Sequence, residues 1–367
     1  MISSLSSLIL LAATGTAAPT EIKTDTTWLA SSGPYLVSES VIVSSGATLT
    51  IEAGTVVKFA KGAEMKIGDK TPGKLVVNGK AAAPVMFTSD SGDAASGYWK
   101  GITARFKGSS IAMQSAMITG GGNNEKSSPD SQRFALSIGP EIGCKLEKVT
   151  IQNCTRGIEL DTEIEAVVKE CTIKDCEKEA VSVAQEVAHV IDTSNVISGN
   201  GINAIVVGEV GDTQFLKSRV WSNTLLPYLV RGDLLVDGPS NGVSLTLGAG
   251  VTVLFDEYSS ITIGWDHQAD FIANGSPEKP ILFKSFKGKW DGIYLGLTGP
   301  STQFVNCRFI DGGAVSAMLI ADENSKATVK QCRFENSETW GISITQGASV
   351  KLENNSFAGN KLGDIDR

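Results

Sequence analysis

The sequence predicts an all-β solenoid, a chain wound into stacked coils of short parallel strands, with the set of coils written twice in tandem. Three observations carry this. The first is a long duplication: residues 49–59, LTIEAGTVVKF, return as 245–255, LTLGAGVTVLF, at an offset of 196. The same offset carries 75–87 onto 271–283, while offsets of 193 and 191 carry Trp28 onto Trp221 and Trp99 onto Trp290. The second is a finer period within each copy. Ile151, Ile173 and Ile197 lie 22 and 24 residues apart, and Phe309, Phe334 and Phe357 lie 25 and 23 apart. The third is texture: β-branched residues fill short apolar runs, 39 glycines help to punctuate them, and no stretch of ten residues carries a helical stripe.

A period in the low twenties has a direct physical solution. Each period is one coil, and each strand pairs in parallel with its equivalent on the next coil, about 4.8 Å away. Inward positions then stack like on like, so the three isoleucines form one internal column and the three phenylalanines another. A leucine-rich repeat has a similar period but needs a frame of leucines that is absent here, and a propeller blade needs a longer period.

Taken in order, residues 1–18 stand apart. The apolar run 5–13 and the small residues up to Ala18 read as an export signal, although no Lys or Arg precedes Leu5. The run is too short to span a bilayer, and no later segment is expected to cross one. Residues 19–33 are a polar approach. From Tyr35 apolar alternation sets in, with turn residues every 8–12 positions. Asn78-Gly79 and Asn274-Gly275 occupy equivalent places and predict tight turns with positive φ. Residues 120–130, GGGNNEKSSPD, form a polar insertion without a motif, and His189 falls in the apolar run 188–191, expected as a strand. The copies span 25–208 and 214–367, either as one rod or as two shorter ones. The final residues, 364–367, offer no evident cap, as in a fragment of a longer chain. The net charge of −8 argues against nucleic acid and anionic membrane as partners.

The phrases LTIEAGTVVKF, VVNGKAAAPVMFTS and WKGI, followed by coils of about 23 residues, resemble the right-handed parallel β-helix proteins of the pectin-lyase-like class. Bacterial, exported β-helix repeat proteins are the most similar members. The resemblance runs from Trp28 to the C-terminus and implies a right-handed coil. It leaves function open, because the class holds lyases, hydrolases, epimerases, adhesins and proteins of no known activity. The polygalacturonase-like motifs N-T-D, D-D, G-H-G and R-I-K are absent, as are the epimerase-like Y-G-x-D-P-H and the lyase-like R-x-P-x-x-R. Trp265-Asp266-His267 echoes the lyase-like W-I-D-H, but the other copy has Gly68-Asp69-Lys70-Thr71 there, which marks a variable loop. No catalytic residue is therefore assigned.

Glu159, Asp161, Glu163 and Glu165 alternate with Ile158, Leu160 and Ile164, and are expected to point outward as a solvated acidic edge rather than a calcium site. With two histidines far apart, neither metal nor cofactor is expected. The recurring Trp28/Trp221 and Trp99/Trp290 are expected to pack, whereas Trp265, Trp340 and Tyr98 lack equivalents and are candidate ligand contacts. Arg308 and Arg333 each precede a stacked phenylalanine, so they should face outward on adjacent coils and meet an acidic glycan. Cys307 and Cys332 should be buried free thiols. Cys154 and Cys176 lie nearer a turn, where a bridge is more feasible.

The first functional reading is a non-catalytic, secreted or cell-surface protein (extracellular or periplasmic) that binds a polysaccharide along the solenoid. A polysaccharide lyase or glycoside hydrolase with diverged motifs is the second, and a structural spacer of a surface protein is the third. No acid/base pair is expected on neighbouring coils. A groove where Asp, Lys and Arg converge would favour catalysis.

Overall fold

The structure, a computed structural model, describes residues 15–92, 95–123, 133–162, 164, 166–208, 214–240 and 242–367. The three strands of a first-copy coil are seen in Thr48–Glu52, Val56–Phe59 and Glu64–Ile67. Each belongs to a different parallel sheet, of six, eight and fourteen strands respectively. Successive coils stay in register: Leu49 pairs with Leu75, Val57 with Phe87, and Met65 with Ile102. The chain is thus a β-helix of stacked coils.

The second copy repeats the three strands as Val243–Leu247, Thr252–Phe255 and Ser260–Ile263. The fourteen-stranded sheet runs unbroken through the join, where Ile205 pairs with Tyr228 and Val207 with Val230. It changes role there. Thr252–Phe255 is the sequence equivalent of Val56–Phe59, a strand of the eight-stranded sheet, yet it lies in the long sheet. The second copy is therefore turned by one face, one strand in three, relative to the first. Both copies share one apolar core.

The predicted columns form. Ile151, Ile173 and Ile197 are paired in register, and Phe283, Phe309, Phe334 and Phe357 stack with ring centroids 4.9, 4.4 and 5.4 Å apart. Only the end members, Ile197 and Phe357, are partly open. Burying each remaining ring contributes roughly 1.5–3 kcal/mol. The recurring aromatics are likewise packed: Trp28 stacks on Tyr35 at 4.5 Å and Trp221 on Tyr228 at 4.6 Å. Trp99 lies on Phe59 at 4.0 Å and Trp290 on Phe255 at 4.3 Å.

The Asn-Gly pairs correct one expectation, because none of their four residues has a positive φ. The left-handed residues are Ser115 and Asn306, on the next coil. A Cβ on Gly79 would lie 2.0 Å from the Ser115 carbonyl oxygen, and one on Gly275 would lie 2.5 Å from that of Asn306. Close approach between coils, not turn conformation, requires these glycines. His189 is a second correction: it sits in a 3-10 helix, Gln185–Val190, beside Glu186 and near the join. The paired strand Thr16–Ala17 begins within the segment expected as an export signal.

All six cysteines are buried free thiols, Cys154 and Cys176 included. Burial holds Cys154 and Cys307 well above the usual thiol range and pushes Cys144 up to about 12. The last coil of each copy is tied down by paired asparagines. Asn195 and Asn200 accept from Cys171 N and Cys176 N at 3.0 and 2.9 Å. In the second copy, Asn355 and Asn360 accept from Cys332 N and Ser337 N at 2.9 and 3.0 Å. Each thereby satisfies a corner amide that the sheets leave unpaired.

Candidate ligand-binding site

Strands Cys307–Ile310 and Arg333–Glu335 turn Phe309 and Phe334 into the core, so the preceding arginines point out. Arg308 pairs directly with Arg333 across the ladder, and Ser356 follows on the next coil. Two like charges at this spacing repel. Glu335 relieves them: Arg308 donates to it through Nη2 at 2.8 Å and Nε at 3.2 Å, while Arg333 Nη2 lies 3.0 Å away. Two guanidinium groups over one carboxylate leave a net positive charge. The arginine side chains stay 43% and 53% exposed, against 14% for Glu335, so the cations face outward and their counter-charge lies beneath.

These arginines line an open cleft of about 430 Å³ together with Asn306, Gln331 and Ser356, with Pro277 and Pro280 in its wall. Lys330 adds a further cation just before the corner and pairs with Glu353 at 3.4 Å. Sequence reasoning missed Asn306, Gln331 and Lys330. The signal was the pair of corners Val305-Asn306-Cys307-Arg308 and Lys330-Gln331-Cys332-Arg333, where the second residue is left-handed and lines the cleft, Asn306 also donating to the Gly275 carbonyl at 3.3 Å. A cleft of cations and neutral amides suits an anion carried on a polar ligand.

The three aromatic candidates are dispersed. Trp265 is 69% exposed on the corner between Ser260–Ile263 and Ala269–Asn274. Its loop is pinned by the buried carboxylate of Asp237, which accepts from Gly238 N at 2.7 Å, Asp266 N at 2.7 Å and His267 N at 3.4 Å. His267 Nδ1 lies 3.7 Å from Asp237, so the carboxylate nearest this ring is a buried loop anchor. Trp340 is half-buried and lies over Gly363 of the last coil. Tyr98 packs partly against the core and donates to Asp90 at 2.8 Å, which raises its phenol above the usual range.

A second charged cluster corrects the acidic-edge reading. Glu159 does point away from the core, but it is only 2% exposed. It accepts from Ser137 Oγ and from Arg105, which also reaches Asp161 at 3.5 Å. Ile164 is 44% exposed rather than inward, and Glu163 and Glu165 lie outside the described residues, as do 124–130 of the polar insertion. Ion pairs also link neighbouring coils. Arg156 lies 2.9 Å from Glu179 on the next coil, and Arg231 bridges Glu179 and Asp256 at 3.7 and 3.2 Å. In each case the cation is already held by carboxylate, and the Arg105 cluster as a whole carries excess negative charge. It is poorly suited to neutralise a uronate substrate.

Among the described residues no group of three or more His, Cys, Asp or Glu could hold a metal ion, and no helix is long and apolar enough to cross a membrane. The family model described as pectate-lyase like beta helix domain matches residues 20–127. The one described as right handed beta helix region matches 105–225 and 269–363, more than half of the chain. No curated protein and no solved structure matches it.

Proposed function

The chain belongs to the right-handed β-helix family, and from that premise we propose that it is an exported, non-catalytic protein that holds an acidic glycan on the arginine corner of its second copy. The observation that carries this reading is the in-register pair Arg308 and Arg333 above a single carboxylate, in an open polar cleft. The chain as a whole has a net charge of −8, so this corner stands out as a local reversal of sign. Binding of this kind depends on salt, because the contacts are exposed and screened.

Retardation on immobilised glucuronoxylan, pectate and alginate tests the proposal. Retention should fall with added salt and vanish in Arg308→Ala/Arg333→Ala. Retention unchanged in that variant would exclude the arginine corner. A catalytic reading has one observation in its favour, the convergence of Arg105, Ser137, Glu159 and Asp161. Its signature is a steady rise of unsaturated product or new reducing ends, with and without Ca²⁺, that is lost in Glu159→Gln. That result would replace binding with cleavage.

A further inference from the structure

The arginines open strands of the fourteen-stranded sheet just past one edge of a six-stranded sheet, and Trp265 stands just before that sheet's other edge. Strand Ala269–Asn274 follows the Trp265 loop, and the sheet continues through Gln303–Val305 and Lys326–Lys330. Leu297, 41% exposed, occupies the same corner one coil further on, where its amide donates to the Gly264 carbonyl at 2.7 Å. Leu297 precedes Gln303–Val305, which leads directly through Asn306 into Arg308. One coil therefore carries an apolar ledge at one edge and the first arginine at the other. The next carries Thr328 and then Arg333, with Ile272, Gln303 and Thr328 in register across the middle.

The two edges differ in charge. Asp270 lies at the Trp265 edge, where it accepts from Thr302 Oγ1 at 3.0 Å and Ser301 N at 3.1 Å. Asp322 stands one coil beyond Leu297, its carboxyl raised above the usual range by burial. Asp270 and Asp322 together outweigh the exposed Lys326 at that edge and accept hydroxyl protons there, whereas Arg308 and Arg333, sharing one carboxylate, attract an anion at the opposite edge. At ~3.3 Å per residue the six-residue strand is about 20 Å long, too far for one or two sugar rings to bridge.

We infer that one oligosaccharide lies across this sheet, its uronate-bearing end on Arg308 and Arg333 and its neutral rings running over Gln303 and Thr328 to stack on Trp265. This rests on the arginine reading and adds a ligand class to it: a mostly neutral glycan with an acidic residue toward one end. Trp265 is suited to the far end because its loop is fixed by Asp237 before any ligand arrives, so little order has to be gained on binding.

The test is calorimetry and tryptophan fluorescence on the whole chain with three probes: aldobiouronic acid, aldopentaouronic acid and pentagalacturonate. The xylan-derived pentasaccharide should bind at least tenfold more tightly than the disaccharide and should shift tryptophan emission. Pentagalacturonate should bind more weakly than the mixed pentasaccharide, because it places acids beside Asp270 and Asp322. In Trp265→Ala the affinity ratio of pentasaccharide to disaccharide should collapse towards one. Thr328→Glu, a surface change mid-path, should lower the same ratio. A ratio near one in the unaltered protein, or one untouched by both variants, overturns the crossing while leaving the arginine corner standing. Failure of the unaltered protein to bind any of the three overturns both.

Discussion

One outward column of the fourteen-stranded sheet runs through both copies: Thr103, Ser137, Glu159, Ser182, Val206 and Leu229, then Leu254, Lys284, Ile310 and Glu335. Its first six members are buried and its last four are partly open. The backbone environment is the same, and what the side chains must satisfy is not. In the buried half, polar atoms need partners: Glu159 takes Ser137 and Arg105, although Ser182 Oγ is left without a hydrogen bond. At the join the column becomes apolar, and Ala204, Val206 and Leu229 form a small cluster outside the main core. In the open half, Glu335 can hold two arginines while solvent or a ligand reaches them. An ion pair here is structural where the sheet is covered and available for binding where it is not.

The sharpest way to break the contrast is at the join. Trp221→Ala should cost about 3–5 kcal/mol, because the ring is fully buried against Tyr228. Trp265→Ala, at an exposed corner, should leave the urea midpoint where it was. Equal effects from the two would deny the difference. Glu159→Ala comes next, at about 2–3 kcal/mol. That is less than for a fully enclosed pair, since the Arg105 side chain is 36% exposed and keeps Asp161.

Alkali probes the join from another side. Burial pushes the Tyr228 phenol up to about 12, whereas an unfolded tyrosine titrates near 10. The folded form therefore holds its proton where the unfolded form loses it. Stability that is intact below pH ~10 should fall by up to about 1.4 kcal/mol per unit as pH rises towards 12. Urea midpoints measured across that range should show a shallower decline in Tyr228→Phe than in the unaltered protein.

Glu335→Gln should move stability by less than ~1 kcal/mol. It should also strengthen retention on acidic polysaccharide several-fold, by releasing both arginines. Weaker retention would mean that Glu335 positions the arginines more than it neutralises them. The smallest effect expected is in thiol reactivity. Without denaturant, the six buried thiols should react negligibly with a disulfide reagent, and in urea all six should titrate. Fewer than six in urea would reveal a bridge.

Much of this was legible in the sequence for a definite reason. In parallel coils, a side chain one period away is also the nearest neighbour above, so spacing along the chain reads directly as contact. That is why the Ile151 and Phe309 columns, the Trp99 and Trp290 packing and the pairing of Arg308 with Arg333 could be anticipated. The Arg105–Glu159 pair could not, because 54 residues and two coils separate the partners and no repeat marks them. Tyr98 and Trp340 looked exposed for want of repeat partners. Both are half-buried: one packs partly against the core and is held by Asp90, and the other lies over Gly363.

The sequence by itself determined the coil, its period and the inward and outward alternation, since these follow from local strand geometry repeated at constant length. Only the tertiary structure decided three other things: the one-face turn between the copies, the covered and open halves of the long sheet, and the placing of Trp265 and Arg308 at the two corners that flank one six-stranded sheet. Each depends on how one coil seats on the next, and that is set by packing between residues that no period connects.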